Sequence, residues 1–478
     1  MGTTLYCMGS NSVWIPQLVD DEQPRYLALV DAIAMAIERG ELKVGDRLPP
    51  QRRLAWKLGL NPSTTQQAYR EAAARHLVAG EVGRGTYVLA GSNEATLFHL
   101  KYQVGQKTLI DLSTNVPVAD PHNHDLHDSL RSLLQRHDSG LLDNYLGPAQ
   151  LLLGRIHGAQ WLANRGLALS ADDLLLCGGA QQALTLALQS FCHAGEPVML
   201  EALTAPGIKA ACRQLRLPVH GVALDSQGLR PEDLDRVARA SGARVLVTTP
   251  TLHNPTGACM DDARRGAIAQ VVKRLGLRVI EDDVYGALSN RAPLYPLLGD
   301  QGVFISSLSK TVAAGLRLGW IVASPGSLAQ VDPHAQASHW PVSPLSLHVA
   351  CQWIDDGTAA RRLAWQRKEI SERWRLARKL LGDGMQNTGQ PSPHLWLPTP
   401  QGAEGVVKRC REQGVEIVPA SVFAIGASEV QAVRISLSAA SSRAELKRGL
   451  EVVRHAMTGP EASGMQQPLH NSSAQRGH

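Results

Sequence analysis

Apolar residues recur in two rhythms along this chain, and the change from one to the other divides it. Over 26–40 the apolar positions of Tyr26-Leu27-Ala28-Leu29-Val30-Asp31-Ala32-Ile33-Ala34-Met35-Ala36-Ile37 keep helical spacing, and the run stops at Gly40. A turn at Val44-Gly45-Asp46 leads into a short second helix through Arg52-Arg53-Leu54-Ala55. After Leu58-Gly59-Leu60 a third helix starts, with Asn61 as its cap and Pro62 in its first turn. Residues 80–88, Gly80-Glu81-Val82-Gly83-Arg84-Gly85-Thr86-Tyr87-Val88, predict a small hairpin with Arg84 at its tip.

Past residue 108 the rhythm changes. Short apolar runs such as Asp173-Leu174-Leu175-Leu176-Cys177, 244–249 and 279–285 alternate with helical stretches such as 183–191. That alternation predicts a mainly parallel sheet covered on both faces. Residues 353–381, rich in Arg, Lys and Ala, predict one long helix with a solvated arginine face, leading into a smaller C-terminal α/β subdomain. The predicted segments are a small domain at 22–90, a linker at 91–108, a larger α/β domain at 109–457 and a disordered tail at 458–478 rich in Gly, Ser, Gln and Pro. A flexible linker of this length spans about 20–25 Å on average. Residues 1–20 carry no clear periodicity, and no internal repeat is apparent.

Composition bounds these readings. At 478 residues and 44% hydrophobic content the chain can fill two domain cores. No apolar run approaches the roughly 20 residues that span a bilayer, and no basic-then-apolar leader opens the chain, so a cytoplasmic protein without membrane contact is expected. Seven scattered cysteines show neither metal spacing nor a disulfide framework, which fits a reducing compartment. His122, His124 and His127 lie beside Asp125 and Asp128 in a spacing that matches no finger or helical metal motif, so they read as surface residues and no metal site is expected. Between residues 41 and 90, eight Lys or Arg face four Asp or Glu, a mildly basic balance.

Candidate chemistry centres on Lys310, in Ser307-Leu308-Ser309-Lys310 with Arg317 seven residues on. A lysine amine condenses with an aldehyde, and hydroxyls with a planar guanidinium suit a phosphate dianion. Upstream, Val279-Ile280-Glu281-Asp282-Asp283-Val284-Tyr285 puts carboxylates at the mouth of a buried strand, where Asp282 could pair with a protonated pyridine nitrogen. His253-Asn254-Pro255-Thr256-Gly257 reads as a tight turn offering an amide donor. Gly178-Gly179-Ala180-Gln181-Gln182 opens a helix whose free N–H groups can take an anion.

The order of these four pieces resembles the fold type I, pyridoxal phosphate-dependent aminotransferases from about residue 111 to 457. The resemblance implies Lys310 as the Schiff-base lysine and Asp282 as the pyridine partner, with Asn254 and Tyr285 on the phenolic oxygen. It implies Ala180, Gln181, Ser307 and Arg317 on the phosphate, where the residue chemistry adds the Ser309 hydroxyl, Tyr145 reaching the phosphate of a neighbouring subunit in a homodimer, and Arg434 on an α-carboxylate. Two departures stand out: Ala205 falls where family members stack an aromatic ring on the pyridine, and Ser306-Ser307-Leu308-Ser309-Lys310 replaces the usual Gly-Thr-Phe-Ser-Lys. A lost stack costs on the order of 1 kcal/mol.

The N-terminal run has the layout of a helix-turn-helix followed by a wing. Leu48-Pro49-Pro50-Gln51-Arg52 and Gly83-Arg84-Gly85-Thr86-Tyr87-Val88 resemble the GntR family of DNA-binding domains. By position the resemblance implies Arg52, Ser63, Thr64, Thr65, Gln67, Arg84 and Thr86 as DNA contacts, and Pro62 stands where many members carry an arginine. Such a reader fused to an aminotransferase-like body resembles the MocR group of transcription regulators. The resemblance implies a pyridoxal phosphate-dependent regulator that binds an operator in double-stranded DNA, associates with the nucleoid when bound, and responds to an amino acid, an amine or the cofactor itself through aldimine formation at Lys310. The alternatives are an active aminotransferase, capable at least of a transamination half-reaction, with an accessory DNA-binding domain, and a regulator that has lost cofactor binding.

Overall fold

The computed structural model describes residues 14–18, 24–38, 41–43, 45–74, 77–81, 85–89, 109–120, 124–135, 143–331, 342–382, 385, 389–426 and 429–458. Two compact units divide the chain, Met1–Gly105 and Gln106–His478. The expected linker, Arg84, His122 and the expected tail from residue 459 on lie outside the described residues.

In the first unit the helices are α1 (Arg25–Glu38), α2 (Gln51–Leu58) and α3 (Pro62–Ala74), followed by an antiparallel hairpin of β1 (Val78–Glu81) and β2 (Gly85–Val88). Helical spacing puts Leu29, Ile33 and Ala36 of α1 against Ala68, Tyr69 and Ala72 of α3, and Leu54 of α2 joins them. Asn61 caps α3 as expected: its Oδ1 accepts from Ser63 N at 3.0 Å. Two further bonds tie the unit together. Leu48 N donates to Thr86 O at 2.8 Å, fixing the start of α2 to the hairpin. The buried Tyr69 hydroxyl donates to Pro49 O at 2.7 Å, fixing α3 to the same turn.

The second unit is built on a seven-stranded sheet, with β3 (Ile110–Asp111) lying outside it. Its strands are β4 (Leu174–Cys177), β5 (Val198–Glu201) and β6 (Val219–Val222) and, after a small hairpin of β7 (Leu224–Asp225) and β8 (Gly228–Leu229), β9 (Val245–Thr248), β10 (Arg278–Asp282), β11 (Gly302–Ser307) and β12 (Gly319–Val322). Spatial order is β4-β12-β11-β10-β9-β5-β6, and β12 runs antiparallel to both its neighbours while the other pairings are parallel. Alternate side chains leave a strand on opposite faces. Val247, Ile280, Ile305 and Ile321 therefore pack with the helix Ala180–Phe191. Leu246 and Val279 meet the helices Pro231–Ser241 and Asp262–Leu275, whereas Phe304 and Trp320 meet Pro148–Leu162 and Pro344–Asp355.

A smaller subdomain follows. Its strands β13 (His394–Pro398), β15 (Val418–Pro419) and β16 (Ala432–Ser436) form an antiparallel sheet in the order β13-β16-β15, and β14 (Val415–Glu416) pairs in parallel with β3. The helices Thr358–Leu381, Ala403–Glu412 and Arg443–Thr458 cover a core of Leu112, Trp374, Leu395, Val433, Ile435 and Leu450.

Two expectations need correction here. The run 353–381 is not one helix: Pro344–Asp355 ends, and Gly357, with φ +80°, starts Thr358–Leu381 in a conformation open mainly to glycine. Nor are its arginines all solvated. Arg373 is 1% exposed, donating to Glu369 at 2.8 Å and to the carbonyls of Leu437 and Ala440, and Arg362 is buried against Asp125 and the Trp353 ring. Helical spacing marks which side an arginine faces but not whether a carboxylate waits there.

A deeply buried ion pair joins Arg165 to Asp283 by two bonds of 2.7 and 2.9 Å, next to the buried Glu281. Burial pushes the Glu281 carboxyl up to about 8 and that of Asp283 up as well, against the pull of Arg165. Replacing Arg165→Met leaves Asp283 uncompensated and is expected to cost about 3–5 kcal/mol in denaturant unfolding, with much of the loss recovered in Arg165→Met/Asp283→Leu.

Candidate functional site

Parallel strands deliver their loops to one edge, and the candidate residues gather there. Asp282 is the last residue of β10 and Ser307 the last of β11, and the turn 253–257 follows β9. Lys310, half-buried, donates from Nζ to Asn115 O at 2.6 Å. Asp282 accepts from Val284 N at 3.3 Å. Burial, with added repulsion from Asp283 and Glu201, pushes its carboxyl up to about 7 against the pull of Lys310. Tyr285 is buried, accepts from Asn115 Nδ2 at 3.0 Å and meets the His394 ring edge-on, 5.4 Å between centroids.

Arg434 comes from β16, in the small subdomain. It is 4% exposed and donates from Nη1 to Asn254 Oδ1 at 2.9 Å and from Nη2 to Ser113 O, while its guanidinium carbon stands 4.9 Å from the Phe423 ring centre. Burial pulls this guanidinium down to about 10, and its Nε has no hydrogen-bond partner among the described residues. A buried guanidinium bonded to neutral oxygens is suited to an incoming carboxylate. The short segment 113–115 thus gathers two sets of bonds, Arg434 with Asn254 and Ser113, and Tyr285 and Lys310 with Asn115.

The anion-binding end lies at Gly178-Gly179. Gly179 has φ +95°, and a Cβ built there would stand 2.9 Å from Arg317 Nη2, so glycine serves both the turn and the close approach. Arg317 is exposed, with its own backbone left-handed at φ +49°. The helix Ala180–Phe191 offers the first-turn amides of Ala180 and Gln181. The Gln181 side chain is turned to Gly207 O at 2.8 Å, so only its backbone remains for an anion. Ser307 and Ser309 hydroxyl oxygens are buried and have no hydrogen-bond partner among the described residues. An unpaired buried hydroxyl costs about 1–3 kcal/mol, which a bound oxyanion accepting from it would relieve. The residues present therefore fit pyridoxal phosphate, amine and acid at one end and anion donors at the other.

Tyr145 stands 76% exposed ahead of the helix Pro148–Leu162, and Ala205 caps the helix Pro206–Gln214 with only a methyl group where a ring was expected. His124 and His127 are exposed, and the described residues hold no cluster of three or more potential metal ligands. Sequence reasoning missed Ser113, Asn115 and His394. Asn115 lies in Asp111-Leu112-Ser113-Thr114-Asn115, which has no periodic or glycine-marked pattern to single it out.

On the first unit, Arg52, Ser63 and Gln67 are exposed, while Thr64 and Thr86 are half-buried. Thr65 is fully buried, on the face of α3 that carries Ala68, Tyr69 and Ala72 into the core, so its side chain is withdrawn from any surface partner. One residue's shift around a helix is about 100°, enough to turn a reading position into a packing one.

The raised Asp282 sets a sign. Its folded value near 7 exceeds the ordinary 3.8, so the folded state keeps a proton across that window and ionisation costs stability as pH rises through it. In protein freed of small molecules, Asp282→Asn is expected to raise stability by about 2 kcal/mol at pH 8 and by far less at pH 4, measured by thermal unfolding.

Comparisons with known proteins follow the same division. Residues 107–453 match the family model "Aminotransferase class I and II", and 25–88 match "Bacterial regulatory proteins, gntR family". The uncharacterized HTH-type transcriptional regulator YdeF of Bacillus subtilis (strain 168) is 28% identical over 450 residues, covering 92% of this chain and 96% of YdeF. The vitamin B6 salvage pathway transcriptional repressor PtsJ of Salmonella typhimurium (strain LT2) is 28% identical over 421 residues, 86% of this chain and 93% of PtsJ. Among solved structures, the α-aminoadipate aminotransferase LysN of Thermus thermophilus superposes with a TM-score of 0.68 at 23% identity, over 77% of this chain and 95% of LysN, which supports the fold. The chain belongs to the aminotransferase class I and II family and, with a GntR-family helix-turn-helix ahead of that body, is a transcription regulator of the MocR type.

Proposed function

We propose that this protein is a pyridoxal phosphate-dependent, DNA-binding regulator that works as a cytoplasmic homodimer and answers to an amino compound or to the cofactor. The observation that carries the reading is the buried Arg434, bonded to the neutral oxygens of Asn254 and Ser113, with Lys310 and Tyr285 bonded to Asn115 two residues along the same segment. When bound, the cofactor supplies an aldehyde that condenses with a primary amine, releasing water, on a ring that withdraws electrons. The chain's residues do the rest. Lys310 supplies the amine, Asp282 meets the ring nitrogen, and Asn254 and Tyr285 meet the phenolic oxygen. Ser307, Ser309, Arg317 and the amides of Ala180 and Gln181 hold the phosphate, with Tyr145 lent by the second copy. Arg434 takes the carboxylate of an amino acid arriving at the site.

DNA contact falls to Arg52, Ser63, Thr64, Gln67, Arg84 and Thr86, with Thr65 removed from the set because it is buried. Arg434 rides on the small subdomain, while Asp282 ends β10 of the large sheet and Lys310 lies in the turn between β11 and β12. A carboxylate held by the first and an amine engaged by the second favour one arrangement of the two, and the proposed coupling of that arrangement to the DNA-binding unit would change effector and operator affinity by the same factor.

The test is DNA binding to the region upstream of the protein's own gene, with and without pyridoxal phosphate, recording visible absorbance in the same samples. Affinity is expected to move by about tenfold with the cofactor, and Lys310→Ala should abolish both the visible band and that movement. Specific binding indifferent to the cofactor would overturn the coupling. Arg52→Ala is expected to weaken binding at every sequence and lower the salt slope by about 1. Because Lys310, Asp282 and Arg434 are all present, a transamination half-reaction is the second reading, and steady turnover with a defined donor and acceptor pair in the absence of specific DNA binding would favour it.

A further inference from the structure

Asn115 occupies the middle of the site, and neither motif nor resemblance assigns it a role. Its Nδ2 lies 3.0 Å from Tyr285 Oη and 3.0 Å from His394 Nδ1, and its backbone oxygen accepts from Lys310 at 2.6 Å. The hydrogen positions follow from one fixed acceptor. His394 Nε2 stands 2.9 Å from His253 O, and a carbonyl can only accept, so Nε2 carries the hydrogen. Burial holds this imidazole neutral, pulling its pKa down to about 3, so Nδ1 must be an acceptor. Asn115 therefore has to present its nitrogen rather than its oxygen, and the two amide hydrogens serve two acceptors, His394 Nδ1 and Tyr285 Oη. With Tyr285 Oη already accepting from Asn115, its own hydrogen is directed away, toward whatever acceptor lies in the site.

We infer that Asn115, held by His394, is a positioning residue that aims the Tyr285 hydroxyl hydrogen at the phenolic oxygen of the bound cofactor. The inference rests on the cofactor reading given above and extends it. Charged or titratable groups around this chain of bonds are Lys310, Asp282, Arg434 and His253, besides Tyr285 and His394 themselves. A hydrogen bond donated to the phenolic oxygen draws electron density from it and weakens its hold on the proton shared with Lys310 Nζ. Losing the aim of Tyr285 lets that proton stay to higher pH. The device also ties the two subdomains together, because His394 belongs to β13 in the small subdomain and Tyr285 follows β10 in the large sheet.

The experiment loads full-length protein with pyridoxal phosphate and follows its visible absorbance against pH. Asn115→Ala is expected to move the spectral midpoint up by about one pH unit, a tenfold change in proton affinity. His394→Phe keeps a ring edge beside Tyr285 but removes the acceptor that orients Asn115, and should shift the midpoint in the same direction by less. It also decides the matter if Asn115→Ala does not fold. In a Tyr285→Phe background, which itself raises the midpoint, neither substitution should add a shift. A purely structural role would lower cofactor occupancy and thermal stability without moving the midpoint. An unchanged midpoint in a variant with a normal visible band overturns the inference, as does an equal shift in the Tyr285→Phe background. Wild-type protein with no visible band overturns the cofactor reading and this inference together, whereas DNA binding that ignores the cofactor overturns the regulatory coupling and leaves the inference standing.

Discussion

Neighbouring parallel strands end on the same edge of a sheet, and here the pairing of Ile280 with Val247 on one side and Val303 on the other fixes which residues end there. A one-residue slip of β10 would send Asp282 to the opposite face and exchange the positions of Val279 and Ile280, each of which is fully buried among helices on its own side. Core packing on both faces therefore sets the position of the carboxylate. The antiparallel β12 returns the chain beside β11, so the Lys310 turn is bracketed by strands at both ends.

That edge carries three consecutive acidic groups withdrawn from water. Glu281, Asp282 and Asp283 are consecutive, and burial raises the proton affinity of all three. Only Asp283 has a bidentate arginine, Arg165. Glu281 is met instead by the amides of Leu294 and Tyr295 at 3.0 and 2.6 Å. The two flanking carboxylates are thus held by the fold, which leaves the middle one for chemistry. Arg434 is the complementary case, a cation buried against neutral oxygens. Such groups weaken the fold they sit in and persist where a site uses them.

The first unit meets a different constraint. In α3 the first turns must cap a helix, fill a core and present a surface, and the residues divide the work: Asn61 caps, Thr65, Ala68 and Tyr69 pack, Ser63 and Gln67 face outward. Tyr69 also reaches Pro49, so the outward face of α3 is held at a set angle to the start of α2 and to Arg52. A surface that binds a rigid partner depends on such internal bonds as much as on the exposed side chains.

The sequence by itself determined the two-part organisation, the alternation that makes the sheet, the break at residue 59 before α3, and the ordered series Gly179, Asn254, Asp282, Lys310 and Arg317. These are local: each depends on a periodicity, a turn residue or a fixed spacing. It left Thr65 assigned to the wrong face of α3, merged two helices across Gly357 and placed Arg362 and Arg373 in solvent. Only the tertiary structure decided that Asn115 and His394, 279 positions apart, meet at one amide nitrogen, and that Arg434 is paired with Ser113 from the far end of the same unit. The reason is physical: a hydrogen bond between distant segments leaves no periodic trace in either, because it fixes one atom in each and constrains nothing about their neighbours.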